Sequence, residues 1–167
     1  MAENKQLGVI LLVAAAGLAF WQFGDRDSDD THKIDDKITT VQLAAGHADI
    51  TIDVTAAKWR WRFGYPGGVV QGGALPVLMV PAGRVVRFRL TSLDVVHAFW
   101  IPDRKFKRDA NPRDIATFDM RFPAGGFAGV GECSEFCGLD HADMRFAVRA
   151  VAPAAFRAWL ARRRAGA

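Results

Sequence analysis

The sequence predicts a mainly β domain, a sandwich or barrel, set behind an apolar N-terminal segment and followed by one short helix. Three observations carry this. Short runs rich in β-branched and aromatic residues recur along the chain. Gly- and Pro-rich turn material separates them, as in YPGGVVQGG (65–73). Period-two alternation is clearest in RVVRFRL, where Val86, Phe88 and Leu90 share one face and Arg87 and Arg89 the other.

The chain opens with LGVILLVAAAGLAFWQF, Leu7 to Phe23, which carries no charge. As a helix it is about 25 Å long, at the short end for a bilayer span. Phe20, Trp21 and Phe23 lie at its outer end, where aromatic rings favour the headgroup layer. Lys5 precedes it and aspartates follow, so the positive-inside rule favours a cytoplasmic N-terminus and an exported domain. The expectation is a retained membrane anchor over 1–24, in contact with lipid. A cleaved signal peptide, with Ala14 to Ala16 offering small residues, is the alternative. Next comes an acidic linker, 25–40, with six aspartates between Asp25 and Asp36 against Arg26 and Lys33.

The domain itself is expected over 41–152. Strands are predicted near Ile50–Thr55, Lys58–Phe63, Leu75–Val80, Val85–Thr91, Ala98–Ile101, Ala116–Arg121, Gly126–Gly131 and Met144–Val151. PAAFRAWLARRR then reads as a short amphipathic basic helix over 153–167. Pro153 suits its first turn, Phe156, Trp159 and Leu160 form its apolar stripe, and arginines are favourable at its C-terminal end.

The net charge of +4 is unevenly placed. Six arginines and no acidic residue follow from Arg145 onward, and no nucleic-acid-binding motif accompanies them. Nucleic acid is therefore not an expected partner.

CSEFCGLDHADM (133–144) holds both cysteines, one of four histidines and one of four methionines. Two cysteines in an exported domain can form a disulfide, and Cys with His can hold zinc. Thiolate, imidazole and thioether together are a soft set that suits copper. A single blue-copper site needs one thiolate, whereas two thiolates can bridge two coppers if a second histidine is at hand. LDVVHAFWIP (93–102) offers His97; His32 and His47 stand alone near the linker.

These stretches resemble the cytochrome c oxidase subunit II family. CSEFCGLDHADM is similar to its dinuclear copper A motif, Cys-x-Glu-x-Cys-x-x-x-His-x-x-Met. HAFWIPDRKFKRDANP is similar to its histidine loop, with His97, Phe99, Trp100, Pro102, Lys107, Asp109 and Pro112 in register, and WRWRFGY resembles its aromatic strand. The resemblance implies a cupredoxin-like Greek-key β-barrel behind a membrane anchor. It implies Cys133 and Cys137 as bridging thiolates to two copper ions and His97 and His141 as terminal ligands. Met144 and the Glu135 carbonyl become the weak ligands. It further implies that the Glu135 side chain binds a magnesium ion shared with the catalytic subunit, and that electrons enter through Trp59.

The function so implied is subunit II of a haem-copper oxidase in the plasma membrane. Such a subunit takes electrons from a soluble cytochrome c and passes them to haem in catalytic subunit I, where oxygen is reduced to water. No Cys-x-x-Cys-His occurs, so the donor is a separate protein. Asp140 and Asp143 flank His141 and favour a basic donor, whereas the cluster Arg104, Lys105, Lys107 and Arg108 beyond His97 would favour an acidic or neutral one if it dominated the docking face. The chain departs from the family in having one apolar segment rather than two, and in carrying Arg113 where glycine is usual. A stand-alone, membrane-anchored copper-binding or electron-carrier protein is the alternative reading.

Overall fold

The structure is a computed structural model that describes residues 46–166. The expected anchor at Leu7–Phe23 and the acidic stretch at 25–36 lie outside the described residues. Among the described residues, no helix is long and apolar enough to cross a membrane.

Ten strands form two five-stranded sheets. They are β1 (Ile50–Ala57), β2 (Arg60–Gly64), β3 (Val70–Gln71), β4 (Val77–Pro81), β5 (Val85–Ser92), β6 (His97–Ile101), β7 (Phe106–Ala110), β8 (Ala116–Arg121), β9 (Phe127–Cys133) and β10 (Arg145–Val151). One sheet runs β3-β2-β1-β5-β8 and the other β4-β10-β9-β6-β7. β1 pairs parallel to β5, and β4 parallel to β10; the remaining pairs are antiparallel. This is a mainly β, two-sheet architecture, as the alternating runs require.

The alternation fixes which side chains go inside. Val86, Phe88 and Leu90 are fully buried, and so are Ile52, Val54 and Ala56 on the parallel neighbour β1. The inner faces meet in an aromatic stack. Phe99 and Phe146 lie parallel with centroids 4.9 Å apart, and Trp61 stands edge-on to both at 5.7 and 5.5 Å.

Two strands escape the sequence reading. β7 carries three consecutive exposed residues, Lys107, Arg108 and Asp109, between buried Phe106 and Ala110. As an edge strand it buries too little to alternate, and its charges guard the open edge. β3 is a two-residue strand inside the stretch read as turn, where Phe63 pairs with Gln71. The final helix, α1 (Pro153–Ala165), begins at Pro153 as expected and buries Phe156 and Leu160. Trp159 packs edge-on to Tyr65 at 5.0 Å. Arg113 adopts a φ of 67°, the left-handed region that glycine occupies at least cost, which accounts physically for glycine being usual there.

Gly131 on β9 faces Phe146 on β10, and a Cβ there would fall inside the phenyl ring. Gly131→Ala is expected to cost about 1–3 kcal/mol by forcing the aromatic stack apart. Gly125→Ala, with nothing within 4 Å of its added carbon, should stay within about 0.5 kcal/mol of the parent. Urea unfolding midpoints of the two variants check this pair.

Candidate metal centre

One end of the sandwich gathers the chemistry-bearing side chains. β6 begins at His97, β9 ends at Cys133, and β10 begins immediately after Met144. The β9–β10 ladder continues past the named strands: the Cys133 amide donates to the Met144 carbonyl at 3.0 Å. The next amide, Ser134, donates to the Ala98 carbonyl on β6 at 3.1 Å. The loop 134–143 is thus clamped at its base to both neighbouring strands. Within it, a single 3-10 turn (His141–Asp143) brings His141 back towards Cys137.

The donors form a chain. His97 Nδ1 lies 3.7 Å from Cys133 Sγ, Cys133 Sγ lies 3.8 Å from Cys137 Sγ, and Cys137 Sγ lies 3.5 Å from His141 Nδ1. Met144 Sδ is 3.9 Å from Cys137 Sγ, and the Glu135 carbonyl oxygen is 3.2 Å from Cys133 Sγ. Both cysteines are free, so the disulfide reading does not describe this structure. His97, Cys133, Cys137 and Met144 are buried, while His141 is half-buried.

His97, Cys133 and Cys137 offer ligand atoms all within 4.8 Å of one another, and they make a possible metal site. His141 stands outside that group and is reached through Cys137 alone. A closed tetrahedral zinc site would hold all four donors about 3.3–3.8 Å apart around one point. The arrangement here has two ends instead, each sulfur carrying its own imidazole. The soft donors fit copper.

Three side chains hold the donors in place. Asp94 accepts from His97 Nε2 at 2.8 Å, which turns Nδ1 towards Cys133. Asp94 also accepts from the amides of Lys58 and Val95, both at 2.7 Å. Burial opposes its ionisation, but these N–H donors and His97 hold its pKa down to about 2. Trp61 is buried and donates its indole N–H to the Met144 carbonyl at 3.2 Å, the same oxygen that Cys133 binds. Trp59 is partly buried and donates to the Cys137 carbonyl at 3.2 Å.

All seven residues singled out from the sequence meet at this end. Trp59, His97, Cys133, Glu135, Cys137, His141 and Met144 are linked by the contacts above, although the Glu135 side chain itself is exposed. Asp94 and Trp61 were not anticipated. Asp94 lies three residues before His97, which is a weak signal, since carboxylates in loops are common. Trp61 alternates inward with Phe63, so it reads simply as core.

The chain matches the family described as cytochrome c oxidase subunit II, periplasmic domain, over residues 74–151. The crystal structure of the periplasmic domain of subunit II of cytochrome oxidase of Bradyrhizobium japonicum is similar throughout. It has a TM-score of 0.67 and 31% identity, with 74% of this chain and 99% of that one covered. The chain belongs to the cytochrome c oxidase subunit II family. Among curated relatives, subunit 2 of Mycobacterium bovis is 41% identical, covering 69% of this chain and 48% of its own length. A probable subunit 2 of Nocardia farcinica is 31% identical, covering 71% of this chain and 49% of its own. The chain therefore spans about half the length of the curated relatives it matches. A mixed disulfide intermediate between a thioredoxin-like protein and a subunit II domain is also similar, at 29% identity and a TM-score of 0.65, with 75% of this chain and 97% of that one covered.

The adjacent thiols titrate as a unit. Burial raises the pKa of Cys133, but His97, the backbone at Ala98 and Glu135, and Cys137 outweigh it and lower the value to about 6. Burial and the resulting negative charge on Cys133 push Cys137 up to about 12. In the reduced, metal-free subunit II chain, thiolate absorbance in the ultraviolet should therefore rise in two separated steps as pH increases. One thiolate should be present by neutral pH and the second absent until well above the ordinary thiol range. A single two-proton step near the ordinary value would contradict this coupling.

Proposed function

We propose that the chain is the electron-accepting subunit of a haem-copper cytochrome c oxidase, with a dinuclear copper A centre at the clustered end of the sandwich. The observation that carries this is the two-ended donor chain, His97–Cys133–Cys137–His141, with His141 outside the group of three. Two copper ions sharing the thiolates would supply one-electron redox chemistry with little geometric change, which suits electron transfer rather than substrate turnover. Cys133, Cys137, His97 and His141 would hold the two ions, with Met144 and the Glu135 carbonyl as weaker ligands. The exposed Glu135 side chain is free to hold a magnesium ion at the boundary with the catalytic subunit.

Trp59 accepts electrons from a soluble cytochrome c. Its partial exposure and its hydrogen bond to the Cys137 carbonyl support this, because they join the surface to a ligand's backbone. Phe136 and Leu139, 80% and 89% exposed, project from the ligand loop. Apolar side chains so exposed beside the site support a subunit with a partner over a stand-alone carrier. That partner is the catalytic subunit, which carries haem and reduces oxygen to water. Residues 1–24 anchor the chain in the plasma membrane, 25–40 form an acidic linker, and 41–152 hold the copper domain on the exported side. Residues 153–167 follow as a basic helix.

The Sγ atoms of Cys133 and Cys137 lie near enough for oxidation to join them after a small movement. A thioredoxin-like reductant, such as the one in the similar mixed disulfide, would keep this pair reduced before copper loading.

Cys133→Ser and Cys137→Ser are each expected to abolish binding of two coppers per chain, because each thiolate serves both ions. Met144→Leu should retain both, since a weak axial ligand tunes potential more than it holds metal. Copper-to-protein ratios after reconstitution check this. Two coppers retained in either serine variant would overturn the bridging assignment.

A further inference from the structure

The outer face of the β3-β2-β1-β5-β8 sheet carries a row of arginines, and most of them are spoken for. Arg87 makes a two-point contact with Asp119, both bonds at 2.8 Å, and Arg89 meets Asp53 at 3.2 Å. Arg60 and Arg62 differ. Both are exposed on β2, opposite Ala57 and Thr55. Among the described residues, neither has a carboxylate within ion-pair distance. They border an apolar groove of about 250 Å³ whose other walls include Ala57, Trp61, Val70 and Leu93. Leu93 is 73% exposed and Val70 is 43% exposed. Arg60 directly follows Trp59, which donates to the Cys137 carbonyl, and Leu93 directly precedes Asp94, which accepts from His97.

We propose that this groove docks the electron-donor protein, and that the donor presents an apolar tip ringed by carboxylates. This deepens the electron-acceptor reading and rests on it. Charge complementarity selects the occupant. Two guanidinium groups without a carboxylate partner among the described residues, at the rim of a desolvating apolar groove, disfavour a basic surface and favour acidic side chains. A protein tip, rather than a small anion, covers the exposed apolar side chains of Val70 and Leu93 beside the two arginines. Asp140 and Asp143, which from the sequence favour a basic donor, stand on the ligand loop and do not line the groove. Asp94 is already engaged by His97 and two amides. The donor's charge is thus set by β2 and its apolar surroundings, away from the aspartates of the ligand loop.

The test is stopped-flow reduction of the copper-loaded full chain by one acidic and one basic soluble c-type cytochrome. The variants are Arg60→Gln/Arg62→Gln and, as a control of equal charge loss on the other sheet, Lys107→Gln/Arg108→Gln on β7. At low salt the groove variant should slow second-order reduction by the acidic cytochrome about tenfold, and the difference should shrink at high salt. The β7 control should change that rate by less than about twofold, and the copper spectrum should be the same in all three proteins. An unchanged rate with the acidic donor, or an equal loss in the β7 control, would overturn the groove as docking site. So would a parent chain that is reduced faster by the basic donor. Reduction of the parent by neither cytochrome, with its copper spectrum intact, would instead sink the electron-acceptor reading and the groove with it.

Discussion

The Cys133 amide bound to the Met144 carbonyl is the contact on which the metal end depends. It is the last rung of the β9–β10 ladder, and it closes the loop that carries Glu135, Cys137 and His141. Without it, these three candidate ligands would sit on a flexible segment, and ordering them would cost about 1–2 kcal/mol per residue. The same oxygen accepts the Trp61 indole N–H, so the rung is tied to the core as well as to the sheet. The Ser134 amide on Ala98 then holds the loop to β6, the strand that presents His97. Core packing, through the Phe99–Phe146 stack and Trp61, thereby sets where the ligands stand before any metal arrives.

That placement brings an electrostatic conflict with it. Two buried thiols sit 3.8 Å apart, and once one has ionised the other resists. A cation beside both sulfurs favours the second ionisation, so metal binding and loss of the second proton are linked at this point. Asp94 adds to it from behind His97. Its carboxylate stays ionised because amides and the imidazole hold it so, and it orients the ring as carboxylates behind metal-bound histidines do.

The ligand loop was legible in the sequence because its chemistry falls within twelve residues, Cys133 to Met144, and needs no long-range contact to be read. His97 was harder, since it lies 36 residues away and becomes a neighbour of Cys133 only through the sheet. The alternating strands were legible for the same local reason that they bury one face, as with Val86, Phe88 and Leu90. β7 was not, because an edge strand with three consecutive exposed residues lacks that signature. Trp59 and Trp61 look alike in WRWRF. Register alone separates them, one partly exposed at the β1–β2 turn and one buried beneath the Met144 carbonyl. Asp94 could not be distinguished from any other loop carboxylate until its distance to His97 was known. Arg113 stood out as a departure from the family, and it stands where the left-handed backbone would favour glycine.

The central claim is that the fold presents a two-ended site for a pair of coppers sharing two thiolates. Electron paramagnetic resonance of the copper-loaded, partly oxidised chain tests it most directly, because hyperfine structure counts the nuclei that share the unpaired electron. The account predicts one electron spread equally over two copper nuclei. A signal confined to a single copper nucleus would contradict it.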